Sequence, residues 1–344
     1  MQDTMEKTIA AVTAPTLADV ARRAGVNKIT ASVVMNGAGQ GNTRVSDATR
    51  QRVLTAAKEL HYQPNALAKS LRHRKTNIMG FYIAGYIDTR DLFLSEIVSG
   101  LHQACEQNQR DFLVHGTFRG TSVDDIYAEI LNGKVDGLVL FVESGNALAP
   151  RLAASHLPVV AIANAESSMA CVTGDDVSGS RMQVAYLARR GHRHVVYAVS
   201  PYNFAAPARR FESFLAAAQE ADLRVTPYAI PSGENRQNIA DTITELLALP
   251  PSERPTAIVC WHDTLAFRIV EHLRKIGVHV PDDMAVIGYD GSTTLIPPAF
   301  ELTTVRVPWR EVAGTAVNLL CQTKGKPPVG ETILPVEWIA GETA

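Results

Sequence analysis

The chain has 344 residues, 46% of them hydrophobic and 20% charged, and its formal net charge is −2. A chain of this length and composition forms more than one globular domain. Its charge is unevenly distributed. Residues 1–75 hold twelve Lys and Arg against five Asp and Glu, whereas the remainder holds 21 against 30. A basic segment joined to an acidic body is typical of a module that contacts phosphate groups and a second module that does not.

The sequence excludes several classes of protein. No apolar run reaches the ~20 residues of a membrane-spanning helix, and the first residues lack the apolar segment of a signal peptide. The four cysteines are scattered, without Cys-x-x-Cys pairs or histidines at ligand spacing, so we expect free thiols and no metal site. No nucleophile elbow, phosphate-binding loop or dinucleotide fingerprint occurs. We therefore expect a cytoplasmic protein that is not an enzyme and holds no cofactor.

Residues 1–14 are expected to form a disordered extension, and a helix is predicted directly after them. Thr16 is a candidate N-cap, and Asp19 follows at the spacing of a capping box. Apolar side chains recur at helical spacing at Leu17, Val20, Ala21 and Ala24. Gly25 interrupts this pattern and predicts the end of the helix.

A second short helix is predicted after this glycine turn. Asn27 can cap it, and two short helices joined by a tight turn are the helix-turn-helix pattern. The second helix of that pattern enters the major groove of DNA with its first residues facing the bases, here Asn27, Lys28, Ile29 and Ser32. Lys28 can reach the O6 and N7 atoms of guanine, and Ile29 offers an apolar contact to a thymine methyl group.

Two more helices are predicted before residue 76. Ser46 can cap a helix that runs to about His61, and Pro64 prevents its continuation. Asn65 can then cap a further helix of about two turns. Because so short a helix is marginal alone in water, we expect it to form only when it is docked on a partner.

These four helices closely resemble the N-terminal segment of the LacI/GalR family of bacterial transcription regulators. In that family the short helix is a hinge that folds on operator DNA and inserts a leucine into the minor groove. Leu71 matches this leucine, and Ala68 matches the small residue that lets paired hinges approach. The predicted DNA-binding residues are Thr16, Asn27, Lys28, Ile29, Thr30, Ser32, Asn36, Tyr62, Asn65, Ala68, Lys69 and Leu71.

From Asn77 onward, short apolar runs alternate with helical patterns. Strands are predicted at 78–84, 111–116, 137–142, 159–163, 195–199, 257–260 and 284–288. Helices are predicted at 93–108, 124–132, 179–190, 208–221, 238–249 and 265–276. This alternation predicts an α/β fold with parallel, doubly wound sheets, which bind ligands beyond the carboxyl ends of their strands.

The resemblance to the family continues through this region, for example at Asp175-Asp176-x-x-Gly179 and at 280–290. It implies an effector domain like a periplasmic sugar-binding protein, with two lobes and three crossings between them. The predicted domains are the helix-turn-helix domain at 15–63, the hinge and linker at 64–75, and the effector-binding and dimerisation domain at 76–344. In the last of these, lobe 1 comprises about 76–176 and 307–334, and lobe 2 about 177–306 and 335–344, with crossings near 175–179, 304–307 and 333–335.

The resemblance also implies an effector site. Arg210 and Asp290 match the arginine and the aspartate that hold the effector in the family, and Phe93 matches an aromatic residue of the pocket. A guanidinium and a carboxylate can each bind two ligand oxygens. His262 lies where many members carry asparagine, and Trp261 can stack on the face of a sugar. The predicted effector-binding residues are therefore Phe93, Arg210, Trp261, His262 and Asp290.

These features predict a homodimeric, ligand-responsive repressor that binds pseudo-palindromic double-stranded operator DNA and is associated with the nucleoid when so bound. On the resemblance alone, the expected effector is a carbohydrate or a sugar acid. A regulator that senses a purine or another metabolite as a corepressor is the alternative, because the sequence does not separate an inducer from a corepressor. A solute-binding protein is a second alternative, against which the N-terminal helices argue.

Overall fold

A computed structural model of the chain describes residues 14–35, 45–65, 68–70, 74–85, 88, 90–116, 122–164, 166–229, 236–292 and 298–344. The chain divides into two compact units, Met1–Thr76 and Asn77–Ala344, which we call the headpiece and the body. The extension expected at 1–14 lies, except for its last residue, outside the described residues.

The headpiece contains the helices α1 (Leu17–Ala24), α2 (Lys28–Met35) and α3 (Asp47–Glu59). The capping box at the start of α1 is confirmed, because the Thr16 hydroxyl accepts a bond from the Asp19 N–H and the Asp19 carboxylate accepts one from the Thr16 N–H. Gly25 ends this helix in the left-handed region, at φ 64°. The three helices share one apolar core, which includes Val20, Ala31 and Val53.

The body alternates strands and helices, as predicted. In chain order, its strands are β1 (Ile78–Ile83), β2 (Asp111–His115), β3 (Gly137–Phe141), β4 (Val159–Ile162), β5 (Ala170–Gly174), β6 (His194–Val199), β7 (Arg224–Ala229), β8 (Ala257–Cys260), β9 (Ala285–Ile287), β10 (Thr304–Arg306), β11 (Gly330–Leu334) and β12 (Glu337–Ile339). Its helices are α4 (Leu92–Gln107), α5 (Val123–Ile130), α6 (Leu148–Ala154), α7 (Asp176–Arg189), α8 (Ala205–Glu220), α9 (Arg236–Ala248), α10 (Asp263–Lys275) and α11 (Trp309–Gln322).

The first lobe is built on a parallel sheet with the strand order β11-β5-β4-β3-β1-β2. Successive side chains of a strand point to opposite faces. Val139 therefore packs under α4 and α11, whereas Leu138 and Leu140 pack under α5 and α6. Because helices cover both faces, the central strands are apolar along their whole length, as expected for a buried parallel sheet.

The second lobe repeats this design on a smaller parallel sheet with the order β7-β6-β8-β9. α7 and α8 cover one face around Leu187 and Phe214. α9 and α10 cover the other face around Ile243 and Ile269. The predicted fold class, two lobes of doubly wound parallel sheet, is therefore confirmed.

The chain passes between the lobes at three places, namely between β5 and α7, between β10 and α11, and between β11 and β12. β10 and β12 pair antiparallel, with Arg306 opposite Glu337. This ribbon lies beside β9, since isolated bridges join Ile287 to Thr303 and Asp290 to Arg306. Asp290, which follows β9, is thus held beside the ribbon at which the chain passes between the lobes.

α4 and α11 approach closely at Gly100. A Cβ added to Gly100 would lie 2.4 Å from the carbonyl oxygen of Arg310, nearer than real Cβ atoms come. Glycine is therefore required for this spacing. The contact fixes the distance between the helix that carries Phe93 and the helix that begins at Trp309.

Within the described part of the chain, no helix is long and apolar enough to cross a membrane. The same residues contain no cluster of three His, Cys, Asp or Glu side chains that could hold a metal ion. The four cysteines are unpaired thiols, and Cys321 is the most accessible of them.

Candidate functional site

The headpiece presents the start of α2 to solvent. Lys28 is exposed, and Ile29 retains 72% of its accessible surface. Asn27 caps the helix, because its Oδ1 accepts a 2.7 Å bond from the Thr30 N–H. Ser32, in contrast, is buried in the headpiece, which contradicts its predicted position facing the bases. Lys28 and Ile29 are therefore the described residues of α2 best placed to meet a base edge.

The other predicted DNA-binding residues of the headpiece differ in their surroundings. Thr16 is exposed at the start of α1, whereas Tyr62 is half-buried against the apolar core of the headpiece. Asn36 and Leu71 lie outside the described residues. The predicted minor-groove role of Leu71 therefore stays a prediction.

Asn65 occupies the capping position that the sequence predicts for the short hinge helix. Its Oδ1 accepts a 3.3 Å bond from the Ala68 N–H, and its carbonyl accepts one from the Lys69 N–H. Residues 68–70 are helical, with Ala68 and Lys69 exposed. The local sequence thus starts a helix at this point.

In the body, the predicted effector residues meet where the carboxyl ends of the strands of the two lobes face each other. Phe93 lies at the start of α4 and Arg210 in α8, while Trp261 and His262 follow β8 and Asp290 follows β9. Arg210 contacts Trp261 and Asp290 directly. Phe93 reaches this cluster through an intervening aromatic ring.

Arg210 is buried and held on several sides. Its Nε donates to Asp176 at 2.8 Å, and its Nη1 donates to the Trp261 carbonyl at 3.0 Å and to Asp290 at 3.3 Å. Its guanidinium carbon lies 3.9 Å from the centre of the Tyr289 ring, a cation–π contact. Burial lowers the pKa of Arg210, but the two carboxylates outweigh it and raise that pKa above the ordinary value. The guanidinium is therefore a fixed positive charge.

Asp290 is strained and buried. Its φ of 116° lies in a region that L-residues rarely adopt, and such strain is concentrated at functional sites. Its Oδ1 accepts a 3.3 Å bond from Trp309 Nε1 besides the bond from Arg210. Burial raises the pKa of Asp290 to about 7 although the Arg210 charge opposes the shift. This carboxyl group can therefore donate or accept hydrogen bonds near neutral pH.

Asp263 is a second buried carboxyl group beside the first. It accepts bonds from the Thr304 hydroxyl at 2.6 Å and from the Gly291 N–H at 2.7 Å. Burial and the neighbouring Asp290 raise the pKa of Asp263 well above its usual range. The two carboxyl groups share one weakly solvated region and so oppose each other's ionisation.

Aromatic rings lie at the cleft between the two lobes, and we call the partly exposed Phe93, Phe141 and Phe204, together with the buried Trp309 that packs on Phe93, the aromatic wall. Phe93 packs edge-on against Trp309 and Phe141, with ring centroids 4.8 and 5.5 Å apart. Phe141 stacks on Phe204 at 4.9 Å and 11°. Phe141 ends β3 of the first lobe and Phe204 precedes α8 of the second, so the wall extends across the cleft.

Trp261 and His262 supply further polar atoms of the cluster. Trp261 Nε1 is buried and has no hydrogen-bond partner among the described residues. His262 caps α10, since its Nδ1 accepts a bond from the Leu265 N–H at 3.3 Å. Burial, with the charges of Arg210 and Arg268, lowers the pKa of His262 to about 3. The imidazole is therefore neutral and carries its proton on Nε2.

The two lobes also touch directly at the cleft. Asn164 Oδ1, in the first lobe, accepts a 2.6 Å bond from the Ala205 N–H in the second. The backbone N–H of Ser144 donates to the Asn203 carbonyl at 2.7 Å, and Asn203 Nδ2 donates to the Ser144 carbonyl at 3.0 Å. We call these three bonds the cross-lobe contact. They hold the lobes in one relative arrangement.

Several residues of this cluster carry little signal in the sequence. Asp176 was visible only as part of a motif, and its pairing with Arg210 depends on how α7 packs on α8. Trp309 could have been suspected as a large aromatic residue directly after a predicted crossing. Asn164 gave no signal, because a single asparagine after a strand usually belongs to a turn.

Comparison with known proteins relates both units to families. The model of the bacterial regulatory proteins of the lacI family matches residues 16–65, and the periplasmic binding protein-like domain matches residues 184–344. The HTH-type transcriptional repressor PurR of Vibrio cholerae serotype O1 (strain M66-2) is 29% identical over 316 residues, which cover 89% of this chain and 90% of that repressor.

Solved structures show the same fold. The Lac repressor dimer bound to operator and the anti-inducer ONPF has a TM-score of 0.78 at 23% identity, covering 96% of this chain and 98% of that one. The transcriptional regulator CelR in its cellobiose complex has a TM-score of 0.66 at 24% identity, covering 96% and 100%.

The headpiece and the two-lobed body together define a DNA-binding transcription regulator with a periplasmic-binding-protein-like domain. The chain thus joins a helix-turn-helix domain like that of the lacI family of bacterial regulatory proteins to a periplasmic-binding-protein-like domain.

Proposed function

We propose that this protein is a homodimeric repressor that binds a pseudo-palindromic operator and changes its DNA affinity when a small molecule enters the cleft of the body. One observation carries the proposal: the same chain has an exposed start of α2 and, in the body, a buried cluster of an arginine and carboxylates between two lobes. The role is binding, not catalysis. The protein acts in the cytoplasm, at the nucleoid when it is bound to its operator.

On DNA, the two headpieces of the dimer place α2 in adjacent major grooves. Lys28 and Ile29 contact base edges there, and the paired segments 64–75 meet in the minor groove with Ala68 and Leu71. The exposure of Lys28 and Ile29 supports the first assignment, and the Asn65 cap supports a helix in the second.

The effector acts through the arrangement of the lobes. A ligand shifts such an equilibrium only if it binds the two arrangements with different affinities. The cross-lobe contact lies beside the aromatic wall, so a ligand that meets this wall acts on both lobes at once. A carbohydrate or a sugar acid is the first candidate effector, and the cellobiose complex of CelR is consistent with it. A purine or another metabolite acting as corepressor is the second, because planar rings stack on aromatic faces.

Selection of DNA from a random duplex pool with the full-length protein tests this function. We expect two symmetric half-sites. Lys28→Ala should then lower specific affinity by about 1–3 kcal/mol and relax one symmetric pair of base positions. Lys58→Ala removes the same charge from an exposed position of α3. It is the matched control and should leave the selected sequence unchanged. Failure to select any symmetric motif would contradict the proposal.

A further inference from the structure

We propose that the effector of this cleft is an uncharged ring compound that offers a hydrogen-bond acceptor, and that the cleft disfavours ligands with carboxylate or phosphate groups. The inference rests on the proposed function, because it concerns the ligand of the same site. Neutral sugars, nucleosides and nucleobases share this chemistry, whereas sugar acids and nucleotides do not, so the inference narrows the candidate effectors named above to their uncharged members.

The arginines of the cluster already have carboxylate partners. Arg210 pairs with Asp176 and Asp290. Arg209 pairs with the other oxygen of Asp176 at 3.0 Å and with Glu331 at 2.6 Å. A ligand anion that approached either guanidinium would compete with a carboxylate that is already in place.

Further carboxyl groups surround the same point. Asp263 lies beside Asp290, and the charge of Asp91 acts on Asp290 as well. Burial and mutual repulsion raise the pKa values of Asp263 and Asp290, so this region already disfavours the negative charges it has. An anionic ligand placed there would meet the same unfavourable burial that raises these two pKa values. A neutral ligand avoids this cost.

The next basic side chains along the crossings come with acidic neighbours. Arg306 lies directly opposite Glu337 on the β10–β12 ribbon. Both line a cavity of about 450 Å³ whose other charged residues are Glu96, Arg310 and Glu311. Carboxylates outnumber guanidiniums in this cavity too, so it offers an anionic ligand no excess positive charge.

The cleft also has uncharged surfaces that favour a neutral ring compound. Phe93, Phe141 and Phe204 of the aromatic wall are partly exposed, and aromatic rings bind apolar ring faces well. Trp261 Nε1 is buried with no partner among the described residues and can only donate. A ligand that fills this position gains a hydrogen bond by offering an acceptor, such as a hydroxyl, carbonyl or ring-nitrogen atom.

Calorimetric titration and thermal shift with the full-length protein at pH 7.5 test the inference with matched compounds. Two sets are sugars: neutral glucose with anionic glucuronate and cationic glucosamine, and neutral galactose with galacturonate and galactosamine. The third set pairs each of the neutral nucleosides adenosine, guanosine and cytidine with its anionic 5′-monophosphate. The sugar sets and the nucleoside sets separate the two sources of a neutral ring. We expect at least one neutral compound to bind, and to bind at least tenfold more tightly than its anionic counterpart, which is about 1.4 kcal/mol.

An anionic member that binds as tightly as its neutral counterpart would overturn the inference, and so would the failure of every neutral compound to bind. Asp290→Asn removes one carboxylate at nearly constant shape. It should therefore reduce the ratio of the affinity for a neutral compound to the affinity for its anionic counterpart. A residue with a merely structural role would lower both affinities and leave the ratio unchanged. DNA selection without ligand is measured in parallel. If the protein still selects a symmetric DNA motif but the ligand titrations fail as described, this inference alone is rejected. If the protein selects no symmetric motif, the proposed function is rejected.

Discussion

Asn164 of the first lobe caps the helix of the second lobe that carries Arg210, because its Oδ1 accepts the Ala205 N–H at 2.6 Å. Phe204 occupies the N-cap position of α8 and supplies no side-chain cap. An uncapped N-terminus leaves backbone N–H groups without partners, so the opposite lobe supplies a missing acceptor. Separating the lobes therefore removes a cap from the helix that holds the site arginine.

Asn164→Ala should favour separation of the lobes. Loss of this cap should lower the free energy of unfolding by about 1 kcal/mol and expand the protein in small-angle X-ray scattering. Ser122→Ala is the matched control, since Ser122 caps α5 within one lobe. It should cost similar stability without expansion. Equal scattering of the two variants would contradict a role for Asn164 between the lobes.

Arg210→Ala should be strongly destabilising. It leaves the buried Asp176 and Asp290 without their shared cation, and such losses cost about 3–5 kcal/mol. Arg209→Ala, at a more exposed neighbour, should cost less in the same urea titration. Adding Asp176→Asn to Arg210→Gln should recover part of the loss. If both single alanine variants lose the same stability, the buried pair is not the source of the effect.

The stability of the protein should depend on pH through Asp290. Its pKa is about 7 in the folded protein against 3.8 ordinarily, so between these values the folded state binds the additional proton. Rising pH across this window therefore lowers the free energy of unfolding. Asp290→Asn cannot ionise, and its stability relative to the unchanged protein should rise by on the order of a few kcal/mol from about pH 4 to 8.

The control for this titration is Asp283→Asn. Asp283 is exposed, and the backbone and side chain of His279 lower its pKa. The stabilising effect of the Asp283 carboxylate is lost only as pH falls through that lowered pKa. The stability of Asp283→Asn relative to the unchanged protein should therefore not rise above pH 4. A stability difference for Asp290→Asn that does not change with pH would show that Asp290 is ionised throughout.

His262 should tolerate asparagine better than alanine. Its Nδ1 caps α10, and asparagine supplies an acceptor at the same position. His262→Ala should lower the free energy of unfolding by about 1 kcal/mol, whereas His262→Asn should retain most of it. Urea denaturation distinguishes the two. Equal losses would mean that the cap contributes little and that the ring packing dominates.

The sequence predicted the strands with the strongest apolar patterns and missed the weaker ones. The strand predicted at 257–260 is β8 residue for residue. β7 (Arg224–Ala229) was missed because it is a half-exposed edge strand interrupted by Pro227, and proline argues against a strand. α11 (Trp309–Gln322) was not predicted, although it directly follows the crossing expected near 304–307. α7 starts three residues before the predicted helix at 179–190, because Asp175 caps it by accepting a bond from the Ser178 N–H.

The candidate site was predictable in its residue types and not in its pairings. Resemblance selected Arg210 and Asp290, and the structure brings them to 3.3 Å. The bond from Arg210 to Asp176 joins residues 34 positions apart, and no local pattern encodes it. The cap from Asn164 depends on the approach of two lobes, which sequence periodicity does not describe. Burial, which shifts the pKa of Asp290, likewise arises only from the assembled fold.

The close approach at Gly100 has a consequence for genetic selections. Any side chain there pushes α4 from the backbone of Arg310, and with it Phe93 from Trp309. Selection for an altered ligand response should therefore recover Gly100 variants that reshape the cleft without touching the ligand. Such variants would change the ligand response through the spacing of the two helices. Residues identified only by an altered response would therefore not all belong to the ligand-binding surface.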